Sequence, residues 1–414
     1  MAKQFSFNEL DAQLSKINPK GSIITNNAFS KIDEYIDTGN YMLNAQLTGS
    51  LFGGIPNSRS ICLAGESGTG KTFLTLNICR EAQKMGYQII YCDSEAAVDE
   101  EIMRNFGLDP DLVRYQPVST SLEVRHFVTN LTDILRKQRE KGVELPKLML
   151  VLDSLGNLAT TKERADAASG SEKKDMTKQQ DLRSLFRVIT ADLAEFKIPF
   201  IFTNHTYASI GSFIPGQTIS GGGGAIYNAS VILQLSKAGL KEDGVNKTGI
   251  IVTSKPFKNR FARPLPVKFH ISFYRGMNRY VGLEPYITWE SCGVQRGKLL
   301  TDKEVNKLPE SEAKNKILAT KFVHPDENGV ERNLYFEDRP TARTIAVRHL
   351  GATVPPVELF TKKVITNELL QELDDKLIKP TFMLPNISSL DDLLEIADDL
   401  ALIDGESTDY GVED

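Results

Sequence analysis

Residues 65–72 read Gly65-Glu66-Ser67-Gly68-Thr69-Gly70-Lys71-Thr72, and their reading decides the fold. Every fixed position of the pattern GxxxxGK[ST] is met. A short apolar run, Ser-Ile-Cys-Leu-Ala, precedes it at 60–64, and an amphipathic stretch follows at 72–84. Strand, glycine-rich turn and helix in that order make a phosphate cradle, and a chance glycine-rich turn would lack the flanking elements. The glycines let backbone N–H groups curl around an anion where a side chain would block the approach. A helix beginning near Lys71 points the positive end of its dipole at the same anion. Lys71 is then placed to reach the β- and γ-phosphates of ATP, and the Thr72 hydroxyl to ligate Mg²⁺.

Outward from the cradle, short apolar runs alternate with amphipathic stretches from about residue 40 to 285. The clearest runs are 60–64, 88–92, 148–152, 200–203, 231–235 and 250–253, with helical stretches at 72–84 and 181–195. This is the pattern of an α/β fold, a mostly parallel twisted sheet flanked by helices. Two segments fit neither element: 161–180 is charged and rich in Ala, Ser and Lys, and 206–224 is rich in Gly and Ser and ends in four glycines. Connections of that length are functional or disordered. Phe7, Leu10 and Leu14 fall at helical spacing ahead of the core. The chain thus divides into an N-terminal arm at 1–37, a core at 38–285, a mixed and charged C-terminal module at 286–388, with a helix at 366–376, and an acidic tail at 389–414.

Several apolar runs deliver polar residues at their C-terminal ends. The run 148–152 ends in Asp153, and a buried strand carrying an acid to its tip is what the metal side of a P-loop site requires. The run 87–92 leads into Asp93-Ser94-Glu95. Glu95 is a candidate to activate the attacking water, because its strand is expected to neighbour that of the P-loop; Asp93 and Glu95 could equally cap the next helix. The run 198–203 ends in Asn204-His205, a polar pair that could sense a γ-phosphate and pass its presence to the segment beyond, or be an ordinary satisfied histidine. Residues 255–263 read KPFKNRFAR, four cations with two aromatics. That cluster is a solvated basic edge, a nucleic-acid surface, or a supply of cations to a phosphate on a neighbouring subunit.

The 414 residues are 41% hydrophobic and 25% charged, ample for a globular core. Cys62, Cys79, Cys92 and Cys292 form no CxxC pair, which fits core thiols in a reducing compartment. The five histidines show no metal-ligand spacing. The N-terminus lacks an apolar signal region and no stretch is long enough to span a bilayer, so the cytoplasm is expected. Residues 391–414 hold ten acids and no Lys or Arg, which sets the rest of the chain at +5 against a whole-chain charge of −5. The tail either competes with a polyanionic partner for a basic body or simply aids solubility.

Taken together, these segments resemble the core of the RecA-family strand-exchange proteins, and among them the recombinases of large tailed phages (UvsX type). The resemblance runs from about residue 38 to 270. It is carried by 42–47 with Gly53-Gly54, YCDSEAAVD at 91–99, VLDSLGNLA at 151–159, DLRSLFRVIT at 181–190, NHTY at 204–207 and GGGGAIYNASV at 221–231. It implies a RecA-like core that binds ATP and Mg²⁺ through the cradle, Lys71, Thr72 and Asp153, with Glu95 as the water-activating carboxylate. Asp99 matches an acid near the adenine, and His205 stands where bacterial members carry a γ-phosphate-sensing glutamine. Lys258 and Arg260 match cations that reach a neighbouring subunit's ATP. Segments 161–178 and 206–224 match two DNA-binding loops, to which Lys162, Arg164, Tyr207, Phe213, Gly221, Gly222 and Gly223 belong. Ile102 departs from the aromatic that some bacterial members set against the adenine, and Tyr207 replaces an arginine.

The implied partners are single-stranded DNA, homologous duplex DNA, further copies of the chain in a helical filament, and a loader and a single-strand-binding protein. A phage-encoded member would act in the host cytoplasm. A hexameric helicase uses the same core, but it normally carries a sizeable helical domain before it. A metabolite kinase would bring lid arginines and a compact acceptor pocket in place of two long polar segments. A scaffold without useful turnover would not need Glu95.

Overall fold

The computed structural model describes residues 5–19, 21–27, 31–170, 177–208, 217–219, 228–240 and 248–385. Helix α1 (Phe7–Ile17) opens with a capping box, in which the Ser6 hydroxyl accepts from the Glu9 N–H while the Glu9 carboxylate accepts from the Ser6 N–H. Its apolar residues Phe7, Leu10, Leu14 and Ile17 are all exposed. A two-residue ladder of β1 (Tyr35–Ile36) with β2 (Ile55–Pro56) brackets helix α2 (Tyr41–Thr48).

The main sheet is built from β3 (Ser60–Gly65), β4 (Gln88–Asp93), β5 (Val113–Pro117), β6 (Leu148–Asp153), β7 (Phe200–Ala208), β8 (Gln217–Ile219), β9 (Val231–Leu240), β10 (Gly249–Asn259), β11 (Val267–Ser272) and β12 (Gly276–Met277). Its order is β12-β11-β10-β9-β3-β7-β6-β4-β5, with β8 paired to β7. Strands β9 through β5 run parallel, and β10, β11 and β12 extend the sheet antiparallel. Buried on both faces, the central strands are continuous apolar runs, as a covered parallel sheet requires. Helices α3 (Lys71–Lys84) and α4 (Glu100–Asn105) pack on one face through Leu74, Ile78 and Met103. Helices α5 (Ser121–Glu140) and α7 (Lys178–Glu195) cover the other through Val124, Val128, Leu182 and Phe186. Phe186 lies 5.0 Å from Phe202, ring centre to ring centre. Fully burying each such ring stabilises by about 1.5–3 kcal/mol.

Three expectations about the connections change. Residues 161–168 are a helix, α6 (Thr161–Ala168), because Thr160 and Glu163 form a capping box. Helix α7 begins at Lys178, ahead of the expected 181. The segment beginning at 206 opens as sheet, since β7 continues to Ala208 and pairs antiparallel with β8.

Beyond the core, residues 294–354 form an antiparallel sheet whose central strand, Val294–Thr301, pairs with Glu331–Asp338 on one side and Ile345–Val347 on the other. The expected helix near 366–376 is present as Asn367–Leu373 running into a π-helical turn, Asp374–Ile378. Leu369, Leu370 and Phe382 share an apolar cluster with Tyr41, Met42 and Ala45 of α2. Asp374, fully buried, accepts from the Ser50 hydroxyl at 2.6 Å and the Leu51 N–H at 2.7 Å, which pins the C-terminal helix to the end of α2. Hydrogen bonds to a buried charge are each worth about 1.5–3 kcal/mol. All four cysteines are buried free thiols, and burial pushes the Cys92 thiol up to about 12. Among the described residues, no helix is long and apolar enough to cross a membrane.

Candidate active site

The parallel strands end together, and the candidate residues gather at those ends. In register, Gly65 of β3 stands beside His205 of β7, and Asp153 of β6 beside Asp93 of β4. This is the edge of an open α/β sheet where ligands bind. Gly70 has φ +89°, the left-handed region, and a Cβ on it would meet Ile271 Cδ1 at 2.7 Å. Glycine is therefore required at that turn, and helix α3 starts directly after it.

Lys71 is buried, and its ammonium donates to the Gly65 carbonyl at 2.8 Å and the Glu66 carbonyl at 3.0 Å. Burial lowers its pKa below the ordinary lysine value, while Asp153 and Glu95 oppose that shift. The Thr72 hydroxyl donates to Asp153 Oδ2 at 2.8 Å. Tyr91 donates to the same oxygen at 2.9 Å, and the Thr203 hydroxyl donates to Oδ1. Burial, then Asp153, pushes the Tyr91 phenol well above its ordinary pKa, so it remains a donor. Asp153 is thereby held as an aimed carboxylate beside a hydroxyl, a set of hard oxygens that suits Mg²⁺.

Glu95 reaches this site by a route other than the expected one. Strand β4 does not neighbour β3; β6 and β7 lie between them. The turn after β4 is folded back by Asp93, whose carboxylate accepts the N–H groups of Glu95 at 2.8 Å and Ala97 at 3.0 Å. Asp93 is thus a turn anchor, and the cap of α4 is Asp99, which accepts from the Ile102 N–H at 2.8 Å. Glu95 Oε1 then takes the Ser154 hydroxyl at 2.6 Å and lies 3.2 Å from His205 Nε2. Desolvation raises the Glu95 pKa, but the hydrogen bonds from Ser154 and His205 outweigh it and the net direction is down. Glu95 is a partly exposed carboxylate, oriented from two sides, at the end of the strand set that carries the cradle.

A cleft of about 690 Å³ runs along the outer side of the cradle, lined by Phe73, Asn105, Phe106, Phe273, Tyr274 and Arg275. Phe73 and Phe106 meet edge to face at 4.9 Å. Asp99 opens the helix that contributes Asn105 to this cleft. The aromatics come from three separated parts of the chain, and only Phe73, next to Thr72, was signalled by proximity to the motif.

Lys258 and Arg260 lie elsewhere. Lys258 pairs with Ile232, which pairs with Cys62, so it sits three residues back from Gly65, about 10 Å along the strands. Burial, and then Arg260, lowers the Lys258 pKa. Lys162 is exposed on α6. Arg164 donates to Ser119 at 2.7 Å and pairs with Glu123 at 3.2 Å. Tyr207 lies within β7. Phe213, Gly221, Gly222 and Gly223 lie outside the described residues, as does the acidic tail.

The cradle, the buried carboxylate beside the Thr72 hydroxyl and the strand order define a nucleotide-binding P-loop protein. Residues 7–278 match the RecA N-terminal domain, and the chain belongs to the RecA family. It is 30% identical over 279 residues to the recombination and repair protein of Enterobacteria phage T4, covering 66% of this chain and 68% of that one. It is also 30% identical to protein RecA of Streptomyces ambofaciens over 285 residues, 66% of this chain and 71% of the other. Protein RecA of the Wolbachia strain wRi matches at 30% over 283 residues, 67% and 75% of the two chains.

Proposed function

We propose that this chain is a recombination protein that polymerises on single-stranded DNA, pairs it with homologous duplex and exchanges strands, with DNA-stimulated hydrolysis of ATP. The observation that supports this most is the contact of Glu95 with His205. One strand, β7, carries the histidine beside the cradle and runs on into the segment at 206–224. A change at the phosphates is therefore felt by the strand that leads to that segment, which is the coupling a DNA-dependent ATPase needs.

Mg²⁺ bound with ATP neutralises charge on the β- and γ-phosphates. Lys71 binds those oxygens once it exchanges the Gly65 and Glu66 carbonyls for them. Thr72 and Asp153 hold the metal side, and Glu95, kept ionised, orients and deprotonates the attacking water. Aromatics of the adjoining cleft, with Asp99 nearby, take the base. Lys258 and Arg260 sit too far back on the sheet to serve the cradle of their own chain, which favours their serving a neighbour's nucleotide. The exposed apolar face of α1 fits a subunit contact for the arm. The charged segment at 161–178 and the glycine-rich one at 206–224 are assigned to DNA, bound through backbone charge and base faces. A loader and a single-strand-binding protein are expected helpers.

The test is joint-molecule formation between circular single-stranded DNA and homologous linear duplex. Joint molecules are expected with ATP and Mg²⁺ and not without nucleotide. Their absence under both conditions, with the chain folded, contradicts the proposal.

A further inference from the structure

Strand β9 outruns its parallel partner. Its register with β3 ends at Leu235 beside Gly65, yet β9 continues to Leu240, supported on its other side by β10. Of these extra residues, Lys237 reaches the glycine turn. Side chains alternate along a strand, so Lys237 projects to the same face as Leu233 and Leu235, which pack in the cluster beneath α3. Its ammonium consequently lies over the turn and donates to the Ser67 carbonyl at 2.7 Å. Gly68, at φ +72°, leaves the room: a Cβ there would stand 2.6 Å from Lys237 Nζ. Among the described residues, no carboxylate forms an ion pair with Lys237. The pattern GxxxxGK[ST] demands neither Gly68 nor Lys237; the left-handed backbone at Gly68 accounts for the extra glycine, and its bare Cα leaves the ammonium its place over the turn.

We infer that Lys237 is a positioning residue for nucleotide binding, holding the Ser67–Gly68 peptide with its carbonyl outward and its N–H toward the phosphates. The planar trans peptide makes this possible, because its C=O and N–H point in opposite directions and fixing one fixes the other. The ammonium also neutralises the outward carbonyl and adds positive potential to the cradle; in keeping with this, Lys237 lies close enough to Lys71 to contribute to the lowering of its pKa. Since the anchored peptide belongs to the turn and not to the γ-phosphate end, triphosphate and diphosphate benefit equally. The inference rests on the reading of the cradle as a nucleotide site, and the parent chain's own affinity tests that reading separately.

The experiment measures Kd for Mg-ATP and Mg-ADP, and the steady-state rate of ATP hydrolysis, for the full chain and for Lys237→Met and Lys237→Arg. Lys237→Met is expected to weaken both nucleotides by roughly tenfold, the scale of one charge-assisted hydrogen bond. It should raise KM while leaving kcat within about twofold, the signature of uniform binding. Lys237→Arg should recover most of the affinity. Unchanged affinity in the methionine variant overturns the inference, as does weakening of ATP alone, or an arginine variant no better than the methionine one. A parent chain that binds neither nucleotide sinks the nucleotide-site reading and this inference together.

Discussion

Glu95→Gln will still bind ATP and single-stranded DNA with near-parent affinity, and will lose ATP hydrolysis by about 10²–10⁴-fold. The amide keeps the shape of the carboxylate and can still meet Ser154 and His205, which lie 2.6 and 3.2 Å from Glu95 Oε1. What it cannot do is accept a proton from water. The fold is not at stake, because the turn is anchored by Asp93 and not by the Glu95 side chain. Measuring kcat beside DNA affinity separates these effects, and a variant with parent-like kcat removes Glu95 from the chemistry. The same carboxylate sets a pH dependence. Its folded-state pKa lies below the ordinary value, so activity is lost only as pH falls through that lowered pKa. Ser154→Ala removes a donor to the charged form and raises the pKa, so the acidic limb of the rate profile should move to higher pH.

Lys71→Ala will fail earlier in the cycle. It removes the cation assigned to the β- and γ-phosphates, and hydrolysis is expected to fall by about 10²–10³-fold, with weaker ATP binding as well. Assembly on DNA that depends on ATP should fall with it. The loss is not one of folding, since α3 is secured by Leu74, Leu76 and Ile78, all within 1% of full burial. A parent-like melting temperature together with lost nucleotide binding is the expected pair of results. The contrast with Glu95→Gln is itself informative: one variant binds without turning over, the other hardly binds.

How much of this could be read from the chain alone follows from how local each feature is. The cradle is contiguous, so eight residues and their flanks were enough. Asp153 was legible because an apolar run ending in an acid is visible in one dimension. No strand adjacency brings Glu95 to the cradle, since β6 and β7 separate its strand from β3; the side chain of Asp93 does so by folding the turn back across the strand tips. Tyr91 and Thr203 hold Asp153 from 62 and 50 residues away, through pairings that no local pattern announces. Lys237 is 170 residues from Ser67 and was invisible for the same reason. By contrast, helix α6 had a local signal, Thr160 followed by Glu163, that was hidden within a segment read as irregular. The C-terminal sheet was opaque because its strands mix charged and apolar residues without a clean alternation, as Glu331–Asp338 does, where Leu334, Tyr335 and Phe336 are buried in succession between charged ends.

The central claim is that nucleotide in the cradle, assembly of the chain and binding of single-stranded DNA are one coupled event. Its most direct test follows ATP hydrolysis and sedimentation of the purified full chain together, with and without a single-stranded oligonucleotide. The account predicts that the oligonucleotide raises hydrolysis and that large assemblies form only when ATP and DNA are both present. Hydrolysis indifferent to DNA, by a chain that stays unassembled with both ligands, would contradict it.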